Sequence, residues 1–221
     1  MKTYFDIIRD ISNMRWSVVD PDPTSFAEVQ KAVKLAVAQA NSFIWGLDDF
    51  PFKIKKEAVK VNKGQNAMLA PKGNILNIWI EGRGCYLEEI KPTDADFLSS
   101  EAKGNPICYW CEFGDEGAEI HFYPKAEQDC TMLIRYITNF KAKAQDGSLK
   151  VNLEDMDDML NLPEDKSIED AYLHCLNTKA MEYLIADKTD ENYQPYQKEF
   201  MEAYGALLTM TGVKREHRFV V

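Results

Sequence analysis

Between Gly104 and Ile137 the sequence takes on a period of two, and this alternation constrains the fold more than any other stretch of the chain. Gly104 and Pro106 open it. Ile107, Tyr109, Cys111 and Phe113 then alternate with Cys108, Trp110 and Glu112, as successive side chains of a pleated strand do. Gly114-Asp115-Glu116-Gly117 supplies a turn rich in residues that tolerate positive φ. A second strand follows, with Ile120 and Phe122 on one face and Glu119, His121 and Tyr123 on the other. Pro124 ends it, because proline has no N–H for a ladder. After a polar loop, Met132, Ile134 and Tyr136 alternate with Leu133, Arg135 and Ile137. Three such strands in a row predict an antiparallel meander, the smallest arrangement that holds together as a sheet.

On either side of this region the period is helical. Ile7, Ile8, Ile11 and Met14 mark a short amphipathic helix from Tyr4 to Met14. Asp20-Pro21-Asp22-Pro23 breaks it. Ser25 with Glu28 then reads as a capping box, and Phe26, Val29, Val33, Val37, Ala40 and Ile44 hold one face of a long helix to Trp45. Short strands are expected at 58–61, 67–70, 75–80 and 85–90, separated by turns at Gly64, Gly73 and Gly82-Arg83-Gly84. One or two helical turns fit 92–99, and 141–148 reads as a polar linker.

Asn152 then reads as the cap of a short helix with Leu153, Met156 and Leu160 inward, and Pro163 as the first residue of the next. Ile168, Tyr172, Leu176, Ala180 and Leu184 mark that helix to about Asp187. Tyr193, Tyr196, Phe200, Tyr204, Leu207 and Thr211 mark the last, which Gly212 closes. The order predicts an α+β fold. A helical bundle is built from the N- and C-terminal helices, residues 1–48 plus 149–212. An antiparallel β-subdomain is inserted at 49–148, and residues 213–221 form a C-terminal arm.

Composition removes several classes. The 221 residues carry a formal net charge of −10, which argues against a protein that grips nucleic acid by neutralising phosphates. A conduit that lets DNA slide past without sticking remains compatible with that charge. No apolar run approaches the roughly 20 residues that span a bilayer, so no membrane segment is expected. MKTYFDIIRDI places acids inside its apolar stretch and does not read as a signal peptide. Five cysteines in a chain of this size read as reduced thiols in a cytosolic setting.

Cys108-Tyr-Trp-Cys111 is the most tempting chemical motif. A zinc site needs a second pair or two histidines at fixed spacing, and only His121 and Cys130 stand nearby. A redox CxxC belongs at a helix N-terminus, whereas this one lies in a strand, where its two sulfurs point to opposite faces. Gly82-Arg83-Gly84 lacks the third glycine and the following helix of a phosphate loop. The run Glu154-Asp155-Met156-Asp157-Asp158 resembles half a calcium loop, but Leu160 stands where the turn glycine belongs. A solvated helix start accounts for it better. His121, His174 and His217 are scattered. No catalytic residue, cofactor or metal site is assigned from these patterns.

The layout as a whole resembles the head–tail connector family of tailed bacteriophages, the adaptors that sit beneath the portal. Two N-terminal helices come first, the second long, and a strand region with Leu69-Ala70-Pro71 follows. Gly104-Asn105-Pro106-Ile107-Cys108-Tyr109 matches the family's G-x-P-x-x-Y/W entry. A strand ending in proline (Ile120 to Pro124) and one ending in an aromatic (Met132 to Tyr136) lead to Leu162-Pro163 and two helices. The pattern covers nearly the whole chain. Lys125-Ala126 stands where a second proline often follows the Ile120 strand, and the meander is unusually rich in aromatics and cysteines.

The resemblance implies a structural virion protein of the neck, assembled in the host bacterial cytoplasm. It implies a ring, commonly twelve-fold in the family, that binds the portal above and tail or nozzle components below. DNA passes through the lumen during ejection. Two other classes are kept beside it: a small cytosolic enzyme that uses the CxxC or a carboxylate cluster, and a non-viral cytosolic interaction module.

The final segment is read as a partner-binding arm. It concentrates Lys214, Arg215 and Arg218 in an acidic chain and finishes in Phe219-Val220-Val221, suited to adding as a strand to a sheet edge or to filling an apolar groove. The plainer alternative is a frayed, solvated end.

Overall fold

Helical and pleated segments follow one another along the chain as the changes of period predict. A computed structural model describes residues 2–16, 23–114, 117–185 and 193–213. Helix α1 spans Tyr4–Trp16 and α2 spans Pro23–Leu47. Strands β1 (Ile54–Val61), β2 (Ala67–Leu69), β3 (Gly73–Ile80) and β4 (Glu88–Glu89) follow, then a single helical turn, α3 (Pro92–Ala95). Next come β5 (Lys103–Gly104), β6 (Cys108–Gly114), β7 (Gly117–Tyr123), β8 (Lys125–Ala126) and β9 (Cys130–Thr138). Strands β10 (Ala142–Lys143), β11 (Leu149–Lys150) and β12 (Met159–Leu160) precede α4 (Lys166–Leu184) and α5 (Tyr193–Thr211). Helix at about 40% and strand at 29% of the described residues make the class mixed α+β with antiparallel sheets. Two compact units divide the chain: residues 1–52 with 140–221, and residues 53–139.

In the first unit, α2 packs on α4, α4 on α5, and α1 on both α2 and α4. Ile7, Ile11, Val37, Ile44, Tyr172, Leu176, Tyr204 and Leu207 are buried in one cluster, so apolar stripes from all four helices share a core. Local chemistry sets the helix ends. Thr3 and Asp6 exchange side-chain and backbone hydrogen bonds at 3.2 Å, a capping box for α1. The Tyr4 and Phe5 N–H groups donate to the carbonyls of Asp158 and Met156.

That last contact corrects the short helix expected from Asn152. Residues 152–158 form a loop instead, because Asp158 accepts the N–H groups of Glu154 and Asp155 and the loop carbonyls are spent on α1. Leu153 and Leu160 are still buried, Leu160 from strand β12. The expected polar linker is also structured. Strand β10 pairs with both β11 and β12, and Gly147 makes the turn at φ 88°. Helix α4 starts at Lys166 rather than Pro163. Asp165 caps it by accepting from the Ser167 and Ile168 N–H groups. Helix α2 starts at Pro23, two residues ahead of the expected Ser25 cap. Gly212, at φ 68°, closes α5, and Val213 N–H returns to the Leu208 carbonyl as in a Schellman ending.

The second unit is the β region. Strand β9 lies between β1 and β3, antiparallel to both. Its Met132 and Ile134 are buried opposite Ile80 and Ile78, as the alternation predicts. A four-stranded sheet has the order β2-β7-β6-β4, and β5 pairs with β8. Val61, Ile78, Tyr109, Ile120, Phe122, Met132 and Ile134 belong to a core within this unit.

The expected meander is corrected here. Strands β6 and β7 do form the antiparallel hairpin, but β9 belongs to the other sheet. Pro124 offers no N–H to extend the ladder, and Lys125–Ala126 leaves to pair in parallel with β5. The second edge of β7 is taken by β2, whose buried Met68 faces Ile120. Residues 85–90 do not form the expected strand. Tyr86 makes a single antiparallel bridge back to Trp79 of β3, and Glu88–Glu89 turns away to pair with β6 in parallel.

Candidate functional site

The β6–β7 hairpin carries the most exposed chemistry of the β unit. Its register sets Tyr109 against Phe122, Trp110 against His121, Cys111 against Ile120 and Glu112 against Glu119. Period two then sorts the side chains onto two faces. Tyr109, Ile120 and Phe122 point into the core. The same face runs on past the core to Cys111, which is exposed, and to Phe113, which is 94% exposed. On the other face Trp110 and His121 stack with centroids 5.5 Å apart. Trp110 Nε1 donates to Glu112 Oε1 at 2.7 Å, and His121 Nε2 lies 3.3 Å from the Glu119 carboxylate.

The outer edge of β6 is only partly covered. Strand β4 meets it at Cys108 and Tyr109, where Glu88 N–H donates to the Ile107 carbonyl and Ile90 N–H to the Tyr109 carbonyl, both at 2.9 Å. Odd-numbered residues of β6 therefore turn their backbone groups away from β7. By the same alternation the N–H and C=O of Cys111 and Phe113 point off the sheet. Among the described residues no strand pairs with them on that side. The single-turn α3 lies near β6 without adding a strand.

This edge is acidic. Glu88 and Glu89 are exposed on β4 and Glu112 on β6. Burial pushes the Cys108 thiol up, and the Glu88 charge pushes it further. Burial and then the Glu89 charge do the same to Cys111. Tyr109 is raised by burial first and Glu89 second.

The cysteine pair singled out in the sequence lies on β6 itself. Cys108 is buried and Cys111 exposed, and all five cysteines are free thiols. Burial pushes the Cys130 thiol up and takes Cys175 to about 12, the direction opposite to a reactive thiolate. Among the described residues no group of three or more His, Cys, Asp or Glu is arranged to hold a metal. The acidic run is a structural knot around Asp158, with Lys150 Nζ at 2.9 Å. A concave apolar region of about 580 Å³ in the helical unit is lined by Tyr4, Leu35, Ala38 and Leu153 among others. Lys179 is buried against Phe43, Tyr183 and Phe200 and paired with Glu182 at 2.9 Å, an internal arrangement of the helices.

Lys214, Arg215, Arg218, Phe219, Val220 and Val221 lie outside the described residues. What sequence reasoning missed is the acceptor side. Phe113 and Cys111 read as an ordinary apolar strand face, and their exposure depends on how little of β6 the strand β4 covers, which no local pattern encodes.

No known protein family matches the chain, and no curated protein matches its sequence. Its fold and geometry define a mixed α+β protein of two compact units whose most exposed chemistry is an acidic, apolar-tipped sheet edge.

Proposed function

We propose that this chain is a structural virion protein, a head-to-tail adaptor that forms an oligomeric ring between portal and tail through which DNA passes. In this reading the helices from both ends of the chain form one bundle and the strands between them an inserted antiparallel β-subdomain, the layout of the connector family it resembles. The observation that carries the reading is the origin of the two cores. Residues such as Ile11 and Val37 share a cluster with Leu176 and Leu207 from the far end of the chain. The intervening strands bury a set of their own.

Ring closure needs a heterologous contact, one patch on each copy meeting a different patch on the next. The segment 213–221, with Lys214, Arg215, Arg218, Phe219, Val220 and Val221, is the proposed partner-binding arm. The net charge of −10 suits a lumen that repels phosphates and lets the duplex slide. The same reading places the protein in the virion neck, in contact with portal and tail or nozzle proteins, after assembly in the bacterial cytoplasm. Negative-stain imaging of the purified chain, alone and mixed with the portal of the same phage, tests it. Rings seated on the portal are expected, with the twelve-fold symmetry common in that family. A chain that stays monomeric at high concentration and with portal present removes the proposal.

A further inference from the structure

We infer that the open edge of β6, at Cys111 and Phe113, is the acceptor for residues 214–221 of a second copy of this chain, which add to it as a strand. The choice of a second copy rests on the ring reading above. The contact itself rests on three features of the hairpin.

The first is backbone supply. The N–H and C=O of Cys111 and Phe113 point outward beyond the reach of β4, four groups in the geometry that strand addition uses. The second is the lack of protection. Sheet edges are usually blunted by lysine, proline or a covering element. Here the edge ends in Phe113, 94% exposed, on the face that leads into the core. The third is charge. Glu88, Glu89, Glu112 and Glu119 flank the edge, and the segment carries Lys214, Arg215 and Arg218.

The alternation of the segment matches both faces of the hairpin at once. Period two places Lys214, Glu216, Arg218 and Val220 on one side and Arg215, His217, Phe219 and Val221 on the other. In one registration Lys214 and Arg218 fall on the face of Glu112, Glu119 and Glu88, where two cations outweigh the single Glu216. Phe219 and Val221 then fall on the face of Phe113 and Cys111, with Arg215 on the side of Glu89. A slip of one residue moves Phe219 among the carboxylates, so the pattern selects its register.

A fluorescein-labelled peptide of residues 212–221, titrated into the full-length chain and followed by anisotropy, reads this contact whether or not rings form. Phe113→Pro removes an N–H that makes no bond to β7 and sets a ring in the path of an added strand. Binding is expected to weaken by about tenfold or more, with the far-UV spectrum unchanged. Glu112→Lys, at an exposed position, guards against a folding defect and is expected to weaken binding severalfold, as is raising the salt. Absence of binding, or binding indifferent to both variants, overturns the inference.

The source is read by mixing two differently tagged full-length chains, one carrying Val221→Cys, on the face of Cys111, with Cys111→Ser and the other unaltered. A disulfide-linked heterodimer is expected under mild oxidation. Cross-linking of a Val221→Cys chain that retains Cys111, confined to single chains, overturns the second-copy source. Rings that form equally well with Phe113→Pro overturn this inference and leave the ring reading standing. Peptide binding lost in Phe113→Pro, in a chain that never assembles with portal, supports the edge and removes the ring.

Discussion

Asp158 shows how one side chain decides a local structure that the apolar pattern points away from. Its side chain is 2% exposed, and its carboxylate receives Lys150 Nζ at 2.9 Å and the N–H groups of Glu154 and Asp155 at 2.9 and 2.8 Å. Burial pushes its carboxyl up, but those three hydrogen bonds and the Lys150 charge outweigh burial and hold it below the usual range. A carboxyl depressed in the folded state contributes stability above its unfolded value near 3.9, lost as pH falls through the folded value. The difference in stability between wild type and Asp158→Asn is therefore expected to be flat from pH 8 to about 5 and to shrink below about 4. Urea unfolding across that range measures it. At pH 7 Asp158→Ala leaves two inward N–H groups without their acceptor, at a cost of about 1–3 kcal/mol. The N-terminus of α1 is expected to fray with it, because Tyr4 and Phe5 donate to the carbonyls of the same loop.

At the scale of elements, Gly73 fixes how closely β3 approaches β9. A Cβ placed there would strike the Ile137 carbonyl and lie 2.8 Å from Tyr136 Cδ2. Carbonyl oxygens in a ladder have little room to retreat, so Gly73→Ala is expected to cost about 1–3 kcal/mol through overpacking. Thermal melts of the variant and wild type, with Gly84→Ala as a comparison in open space and without a positive φ, read the difference.

The sequence made strands and helices legible where the apolar period was long. β9, α2, α4 and α5 all lie where Met132-Ile134, Val33-Val37, Tyr172-Leu176 and Phe200-Tyr204 place them. Pairing was not legible, because β9 presents two alternating faces and either β1 and β3 or β7 satisfies them equally in sequence. The choice follows from Pro124 and from Met68 on β2, residues remote from β9. The loop at 152–158 was misread because Leu153, Met156 and Leu160 mimic a helical stripe while Asp158 draws the backbone N–H groups to itself. The hairpin edge was missed for a similar reason. Its openness is set by β4, a strand only two residues long.

At the scale of the whole molecule, the path of the chain between its two units makes a separate claim. The β unit begins and ends on neighbouring strands, with Ile54 paired to Ile137, so its entry and exit lie within about 5.5 Å of each other. Its core residues come from within its own range, and those of the helical unit come from both flanks. Replacing residues 54–137 with about six Gly and Ser residues, a linker that reaches roughly 13 Å, is expected to leave a chain with the helical far-UV spectrum of α1, α2, α4 and α5 and a single cooperative melt. Residues 1–52 alone are expected to melt without cooperativity, because Val33, Val37 and Ile44 then lose the partners that α4 and α5 supply. An unfolded linker-bearing chain, or a cooperative transition from the 1–52 fragment, would show that the helices do not form one bundle from both ends of the sequence.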